Sequence, residues 1–214
     1  MSKSDVIIIL GTPHRLREPG KRSCDGRLRE CIYGREIDKE IFLKLQDMGY
    51  RVMIDFEPLD LPRQMQSQSP RVERQNELGM RINMVNEVCR QAGANNVLYV
   101  STHVNACGTN GKWHNANGWQ VCVSPKASER SRLLADCLFD SAKVHGLKMR
   151  QPSPSQKYWE QSLCVLNNTH CPAVLTENLF QDNIDDVNFL LSDEGRHVIE
   201  RLHIEGIINY IERL

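Results

Sequence analysis

Two histidines follow short apolar runs of the kind that form strands. His14 lies four residues after Val6–Leu10, and His103 lies two residues after Val97–Ser101. Imidazole is a common zinc ligand and a common acid–base group near neutral pH. Because ligands of α/β sheets bind at the carboxyl ends of strands, the two imidazoles should converge if their strands are neighbours.

Two glutamates can complete a reactive group with these histidines. Glu177 directly follows the apolar run Ala173–Thr176, where a buried carboxylate needs a partner or a function. Glu36 lies near the start of a predicted helix, although a solvated helix charge is its default interpretation. Two histidines and one glutamate, with a position left for water, form a catalytic zinc set. His14, Glu36 and His103 can therefore be zinc ligands, with Glu177 as the acid–base carboxylate.

Strand-like and helix-like segments alternate along the chain and would position these residues. Strands are predicted over 6–10, 51–55, 97–101, 119–123 and 173–176, and helices over 37–48, 71–91, 127–145 and 193–214. This alternation predicts an α/β fold with a mostly parallel or mixed sheet. No repeat or linker interrupts the pattern, so residues 1–214 are expected to form a single catalytic domain.

The composition excludes several classes of protein. The chain has 27 basic and 27 acidic residues, so its neutral balance gives no global signature of nucleic-acid binding. No apolar stretch is long enough to insert stably into a membrane, and the N-terminus lacks the apolar core of a signal peptide. The eight cysteines form no C-x-x-C pair and are expected to be reduced. We therefore expect the chain to be made in the cytoplasm.

Four short motifs occur in a fixed order along the chain. They are Leu10-Gly11-Thr12-Pro13-His14, Gly34-Arg35-Glu36-Ile37, Ser101-Thr102-His103-Val104-Asn105-Ala106 and Glu177-Asn178-Leu179-Phe180. Together they resemble the signatures of the zinc amidase family of cell-wall hydrolases, which includes bacterial cell-separation amidases and the catalytic domains of phage endolysins. The resemblance covers nearly the whole chain.

The resemblance implies an N-acetylmuramoyl-L-alanine amidase, which cleaves the amide between muramic acid and the L-alanine of the stem peptide. It implies one zinc ion per chain, held by His14, Glu36 and His103, with Glu177 as the catalytic carboxylate. The implied fold is a central sheet of about six strands, mostly parallel or mixed, flanked by helices on both faces.

The expected partner is peptidoglycan, both glycan strand and stem peptide. Asn105, Trp119 and Asn178 are expected to contact it. The lack of a visible signal peptide fits a phage or prophage endolysin that acts at the cell wall or periplasm. The sequence leaves the oligomeric state open.

Two alternative functions stay open because the first motif departs from the family pattern. Thr12 and Pro13 replace the Asp and Gly that precede the first histidine, and Arg15 replaces the Gly that follows it. A non-catalytic cell-wall binding module with a decayed zinc site would explain this change. A zinc peptidase acting within the stem peptide would share the same fold and site.

Overall fold

Six strands form one sheet in the computed structural model, which describes residues 5–214. The strands are β1 (Ile7–Gly11), β2 (Arg51–Ile54), β3 (Val97–Asn105), β4 (Gln120–Val123), β5 (Trp159–Glu160) and β6 (Ala173–Phe180). Their order across the sheet is β2-β1-β3-β6-β4-β5. β2, β1, β3 and β6 are mutually parallel, whereas β4 runs antiparallel to β6 and β5 runs parallel to β4. The sheet is therefore mixed, as predicted.

Six α-helices cover the two faces of the sheet. They are α1 (Glu30–Asp47), α2 (Pro70–Ala92), α3 (Glu129–Val144), α4 (Cys164–Asn168), α5 (Ile184–Leu191) and α6 (Asp193–Glu212). Successive side chains of a strand point to opposite faces of the sheet, so alternate residues of β1 pack against the helices on each face. Ile8 and Leu10 pack with α1, α3, α5 and α6, whereas Ile7 and Ile9 pack with α2 and α4. The predicted α/β class with helices on both faces is confirmed.

The predicted elements differ from the observed ones mainly at their ends. β3 and β6 continue past their apolar runs to Asn105 and Phe180, so His103 and Glu177 lie within strands rather than after them. α1 begins at Glu30, a full two turns before the first predicted helical residue. The short elements β5, α4 and α5 were not predicted.

Three further expectations concern the chain's surroundings. The signal-peptide argument depends partly on residues 1–4, which lie outside the described residues. In the described part of the chain, no helix is both long and apolar enough to cross a membrane. All eight cysteines are unbridged, as expected for reduced thiols.

Candidate metal centre

Three elements bring two imidazoles and a carboxylate together at the carboxyl edge of the sheet. His14 follows β1, His103 lies in the neighbouring β3, and Glu30 opens α1. One ligand atom from each residue lies within 4.8 Å of the other two. The Glu30 Oε1 atom is 2.9 Å from His103 Nδ1 and 3.4 Å from His14 Nε2. The two imidazole rings meet edge to face, with centroids 4.9 Å apart.

Glu30 is a fully buried carboxylate at the amino end of a helix. Its Oε1 accepts a hydrogen bond from the backbone N–H of Val104 at 3.1 Å. Burial by itself would raise the pKa of Glu30, but the nearby charge of His14 and a hydrogen bond from His103 hold that pKa well below its usual range. The amino end of α1 also favours a negative charge. Glu30 is therefore an ionised oxygen donor facing two nitrogen donors.

His103 is held as a neutral imidazole. Burial lowers its pKa from 6.5 to about 4, and the hydrogen bond with Glu30 only partly offsets this effect. The Nε2 atom of His103 lies 3.1 Å from the hydroxyl of Ser101, on the same face of β3. Because Glu30 is ionised, the single proton of the neutral ring lies on Nδ1 and is donated to Glu30, while Nε2 accepts from Ser101. If a metal ion takes the place of the Nδ1 proton, the ring carries its proton on Nε2 and donates it to Ser101. Such a partner on the second ring nitrogen is typical of metal-binding histidines.

Glu177 lies directly opposite His103 in the pairing of β3 with β6. Burial raises the pKa of Glu177 from 4.5 to about 8, with a further contribution from the negative charge of Glu30. Its Oε2 atom has no hydrogen-bond partner in the described protein. A carboxyl group with a pKa near neutrality is suited to accept and return a proton.

The residues of this site fit a metal ion. His14 Nε2 and Glu30 Oε2 are buried polar atoms that, like Glu177 Oε2, lack a hydrogen-bond partner among the described residues. Buried polar atoms are normally hydrogen-bonded, so unpartnered ones that converge on one point are suited to hold a ligand. Two imidazole nitrogens and one carboxylate oxygen are a donor set that zinc accepts.

The prediction of Glu36 as a ligand is corrected by the structure. The Glu36 side chain is 48% exposed and forms an ion pair with Arg196 at 2.7 Å. Six residues separate it from Glu30, which rotates it by about 240° around a helix with about 100° per residue. Glu36 therefore points away from the two histidines, and Glu30 takes its place in the cluster.

Two of the predicted substrate contacts also need correction. Trp119 and Asn178 are both fully buried, and the indole N–H of Trp119 donates to the Asn178 side chain at 2.7 Å. Asn178 donates in turn to the backbone carbonyl of His103 at 3.0 Å. Neither side chain can contact a polymer, although Asn178 joins β6 to β3, the strand that carries His103. Asn105, in contrast, is partly exposed two residues beyond His103.

His14 has a backbone conformation that L-residues rarely adopt, with φ at +36°. The preceding Thr12 is fixed by its backbone N–H, which donates to Asp55 at 3.0 Å, and by its hydroxyl, which donates to the carbonyl of Phe56 at 2.7 Å. Arg81 of α2 donates to the Thr12 hydroxyl at 2.9 Å and to Asp55 at 2.7 Å. Thr12 is one of the residues that depart from the family pattern, and these hydrogen bonds show that it anchors the loop.

Arg15 anchors the other side of His14. Its guanidinium group is buried and contacts three carboxylates, those of Glu18, Glu73 at 3.0 Å and Glu77 at 3.5 Å. Glu73 and Glu77 belong to α2, so this network joins the His14 loop to a helix. Since Thr12 and Arg15 are both fixed, the unusual conformation of His14 between them is over-determined.

Pro13 joins the same loop to α1. A Cβ atom on Gly34 would come within 2.3 Å of the Pro13 ring, so this contact requires glycine at position 34. The Pro13 carbonyl also accepts a hydrogen bond from Arg35 at 2.8 Å. Gly34 lies one turn after Glu30, and the contact therefore fixes the distance between the segments that carry His14 and Glu30.

The cluster opens into a cavity of about 240 Å³ on the α2 side of the sheet. His14 and His103 lie in its wall together with Lys21, Arg74 and Leu163. A small open cavity beside two imidazoles and the ionised Glu30 can hold a polar substrate and water. The fold and this site define a class of α/β proteins in which a His–Glu–His cluster at the edge of the sheet can hold a metal ion.

Comparison with known sequences identifies the family within this class. The sequence model described as N-acetylmuramoyl-L-alanine amidase matches residues 7–209, and the chain belongs to that family. The endolysin of Bacillus phage SPP1 is 33% identical over 110 residues, which are 51% of this chain and 38% of that protein. The matched region thus spans well under half of that relative's length.

Solved structures confirm the fold. An N-acetylmuramoyl-L-alanine amidase from Clostridium difficile 630 superimposes with a TM-score of 0.77 at 18% identity, over 99% of this chain and 98% of that one. The amidase Ami1 from Mycobacterium smegmatis also gives a TM-score of 0.77, at 16% identity and with full coverage of both chains.

Proposed function

We propose that this chain hydrolyses the amide bond between N-acetylmuramic acid and L-alanine in peptidoglycan, using zinc held by His14, Glu30 and His103. The observation that carries the proposal is the convergence of the three ligand atoms within 4.8 Å, in a chain of the amidase family. When bound, zinc would polarise the scissile carbonyl and lower the pKa of water to near 7.

The protein's own contribution begins with the charge and orientation of its donors. Glu30 is held ionised, and His103 is held neutral with its ring fixed by Ser101. The networks around Thr12 and Arg15 fix the His14 backbone. A site positioned in this way needs little reorganisation when it stabilises charge in the transition state.

Glu177 is the residue that we propose moves the proton. In its ionised form, the carboxylate takes a proton from the attacking water. Because its pKa is raised to about 8, the acid form that results is stable enough to protonate the nitrogen of the departing alanine. One residue thereby serves as base and then as acid.

The substrate, the place of action and the extent of the domain belong to the same proposal. Peptidoglycan would approach the cavity, with the partly exposed Asn105 as a contact beside His103. The likeness to a phage endolysin supports action at the cell wall. The family match over residues 7–209 supports one catalytic domain for 1–214.

The experiment that tests this function identifies the bond that is cut. Purified protein is incubated with peptidoglycan, and newly released amino termini are identified before and after chelation and zinc restoration. We expect new L-alanine amino termini that disappear on chelation and return with zinc. New amino termini from later stem-peptide residues would support the peptidase alternative, and no cleavage with intact peptidoglycan binding would support the binding module.

A further inference from the structure

A second concave surface adjoins the metal centre on the loop between β1 and α1. This cleft has a volume of about 310 Å³, and four basic residues line it: Arg17, Lys21, Arg22 and Arg29. We call it the arginine cleft. The proposed chemistry at His14, Glu30 and His103 uses none of its three arginines.

Arg22 and Arg29 face each other across a short antiparallel backbone bridge. Directly opposite residues in such a pair place their side chains on the same side, with Cβ atoms about 5 Å apart. Two like charges in this arrangement destabilise the pair. The loop therefore maintains an electrostatically unfavourable pair of exposed guanidinium groups.

No carboxylate of the described chain neutralises this pair. Neither Arg22 nor Arg29 forms an ion pair within residues 5–214, whereas Arg17 in the same cleft is paired with Asp60 at 3.4 Å. Asp25, in the turn between the two arginines, is engaged by Ser23 and Arg27.

The acidic residue in the wall of the arginine cleft is also engaged elsewhere. The Glu18 carboxylate has no exposed surface and is bound by Arg15 and Arg74. The charge of Arg22 and Arg29 is therefore left for a ligand. Guanidinium groups match carboxylates in shape and can form two parallel hydrogen bonds with each.

The arginine cleft is continuous with the metal centre through Lys21. This lysine lines both the arginine cleft and the cavity that contains His14 and His103. Its Nζ lies 3.6 Å from Glu30 Oε2. A chain that leaves the metal centre on this side must pass Lys21 and then the two arginines.

We propose that Arg22 and Arg29 bind carboxylates of the stem peptide beyond the scissile amide and select substrates in which these groups are free acids. This inference rests on the proposed amidase function. The two arginines act on substrate affinity and not on the reacting atoms, so their loss should appear in KM.

The test uses two synthetic muramoyl-peptides that differ only in their carboxyl groups, which are free acids in one and carboxamides in the other. The full-length zinc-loaded protein is compared with the double variant R22Q/R29Q. The matched control is R51Q/K126Q, which removes two exposed positive charges without ion pairs in the described chain, at the opposite end of the sheet.

The unmodified protein should prefer the acid substrate, and added salt should reduce the preference. R22Q/R29Q should lose about tenfold in kcat/KM on the acid substrate, mainly through KM, with no change on the amide substrate. The control R51Q/K126Q should keep the preference.

Four results would overturn the inference. Equal cleavage of both substrates by the unmodified protein would leave the amidase activity intact and reject the inference alone, as would an equal loss in the control variant. A phosphodiester polymer could inhibit the unmodified protein but not R22Q/R29Q, while neither protein prefers the acid substrate. That result would assign the two arginines to a different anion. Cleavage of neither substrate would reject the proposed function together with the inference.

Discussion

Glu177 combines features that are costly unless they serve a reaction. Its carboxyl group is buried beside the ionised Glu30, and its pKa is raised to about 8. A buried carboxyl group that lacks some of its hydrogen bonds lowers the stability of the folded protein. Groups with strongly shifted pKa values are common at catalytic positions. At the scale of single residues, Glu177 is thus the group best suited to the proton transfer that we propose.

Glu177→Gln should abolish turnover and leave the metal site intact. The amide keeps the shape of the side chain but cannot accept or return a proton, and general acid–base groups contribute about 10²- to 10⁴-fold to rates. The rate of L-alanine amino-terminus release and the zinc content are measured on the same preparation. Activity close to that of the unmodified protein would remove Glu177 from the mechanism.

Glu30, the proposed ligand that takes the place of Glu36, shows what the sequence could have predicted. On a helical wheel Glu30 lies about 20° from Ile37, on the same buried stripe as Ile41, whereas Glu36 lies about 100° to the other side of Ile37. The apolar stripe of α1 therefore favours Glu30. That comparison requires α1 to start at Glu30, and the preceding loop, rich in Gly, Pro and Arg, does not mark this start with a side-chain cap.

At the scale of elements, the apolar runs predicted five of the six strands and all of the long helices. The extensions of β3 and β6 were missed because polar residues interrupt the apolar pattern there, among them His103 and Glu177 of the site. β5 has two residues and α4 has five, which is too short for a periodic pattern. The buried networks of Thr12 and Arg15 could not be predicted, since all of their partners except Glu18 lie more than 40 residues away in the chain.

The network around Arg15 should contribute strongly to stability. In Arg15→Leu the buried carboxylates of Glu18, Glu73 and Glu77 lose their shared cation, and breaking a buried pair costs about 3–5 kcal/mol. Urea unfolding of the metal-free protein measures the loss.

Arg90→Leu is the matched control for Arg15→Leu. It removes an exposed helical ion pair with Glu87 and should leave the free energy of unfolding nearly unchanged, because exposed ion pairs contribute little to stability. Equal effects of the two substitutions would show that the Arg15 network does not hold the loop.

At the scale of the whole molecule, α6 is joined to the sheet by a buried neutral histidine. His203 Nδ1 donates to the carbonyl of Ile199 at 2.7 Å, and its Nε2 lies 2.9 Å from the hydroxyl of Thr176 in β6. Burial lowers the pKa of His203 from 6.5 to about 4. At a pH between these two pKa values, His203 binds a proton in the unfolded chain but not in the native protein.

The free energy of unfolding should therefore fall as the pH is lowered from about 6.5 to about 4, by an amount on the order of 3 kcal/mol from His203. Above pH 6.5 both states are neutral and this contribution is constant. Urea unfolding of metal-free protein at a series of pH values measures the slope. His203→Gln should reduce the slope of unfolding free energy against pH by the amount that corresponds to the uptake of one proton. An unchanged slope would show that His203 is not held neutral.

The most direct test of the central claim is the zinc content of two matched variants, Glu30→Gln and Glu36→Gln, after dialysis against the same limiting zinc concentration. Both substitutions remove one negative charge from α1, and circular dichroism confirms that each variant is folded. We predict that Glu36→Gln retains one zinc ion per chain and that Glu30→Gln loses it together with L-alanine release. Retention of zinc by Glu30→Gln, or its loss from Glu36→Gln, would contradict the site described here.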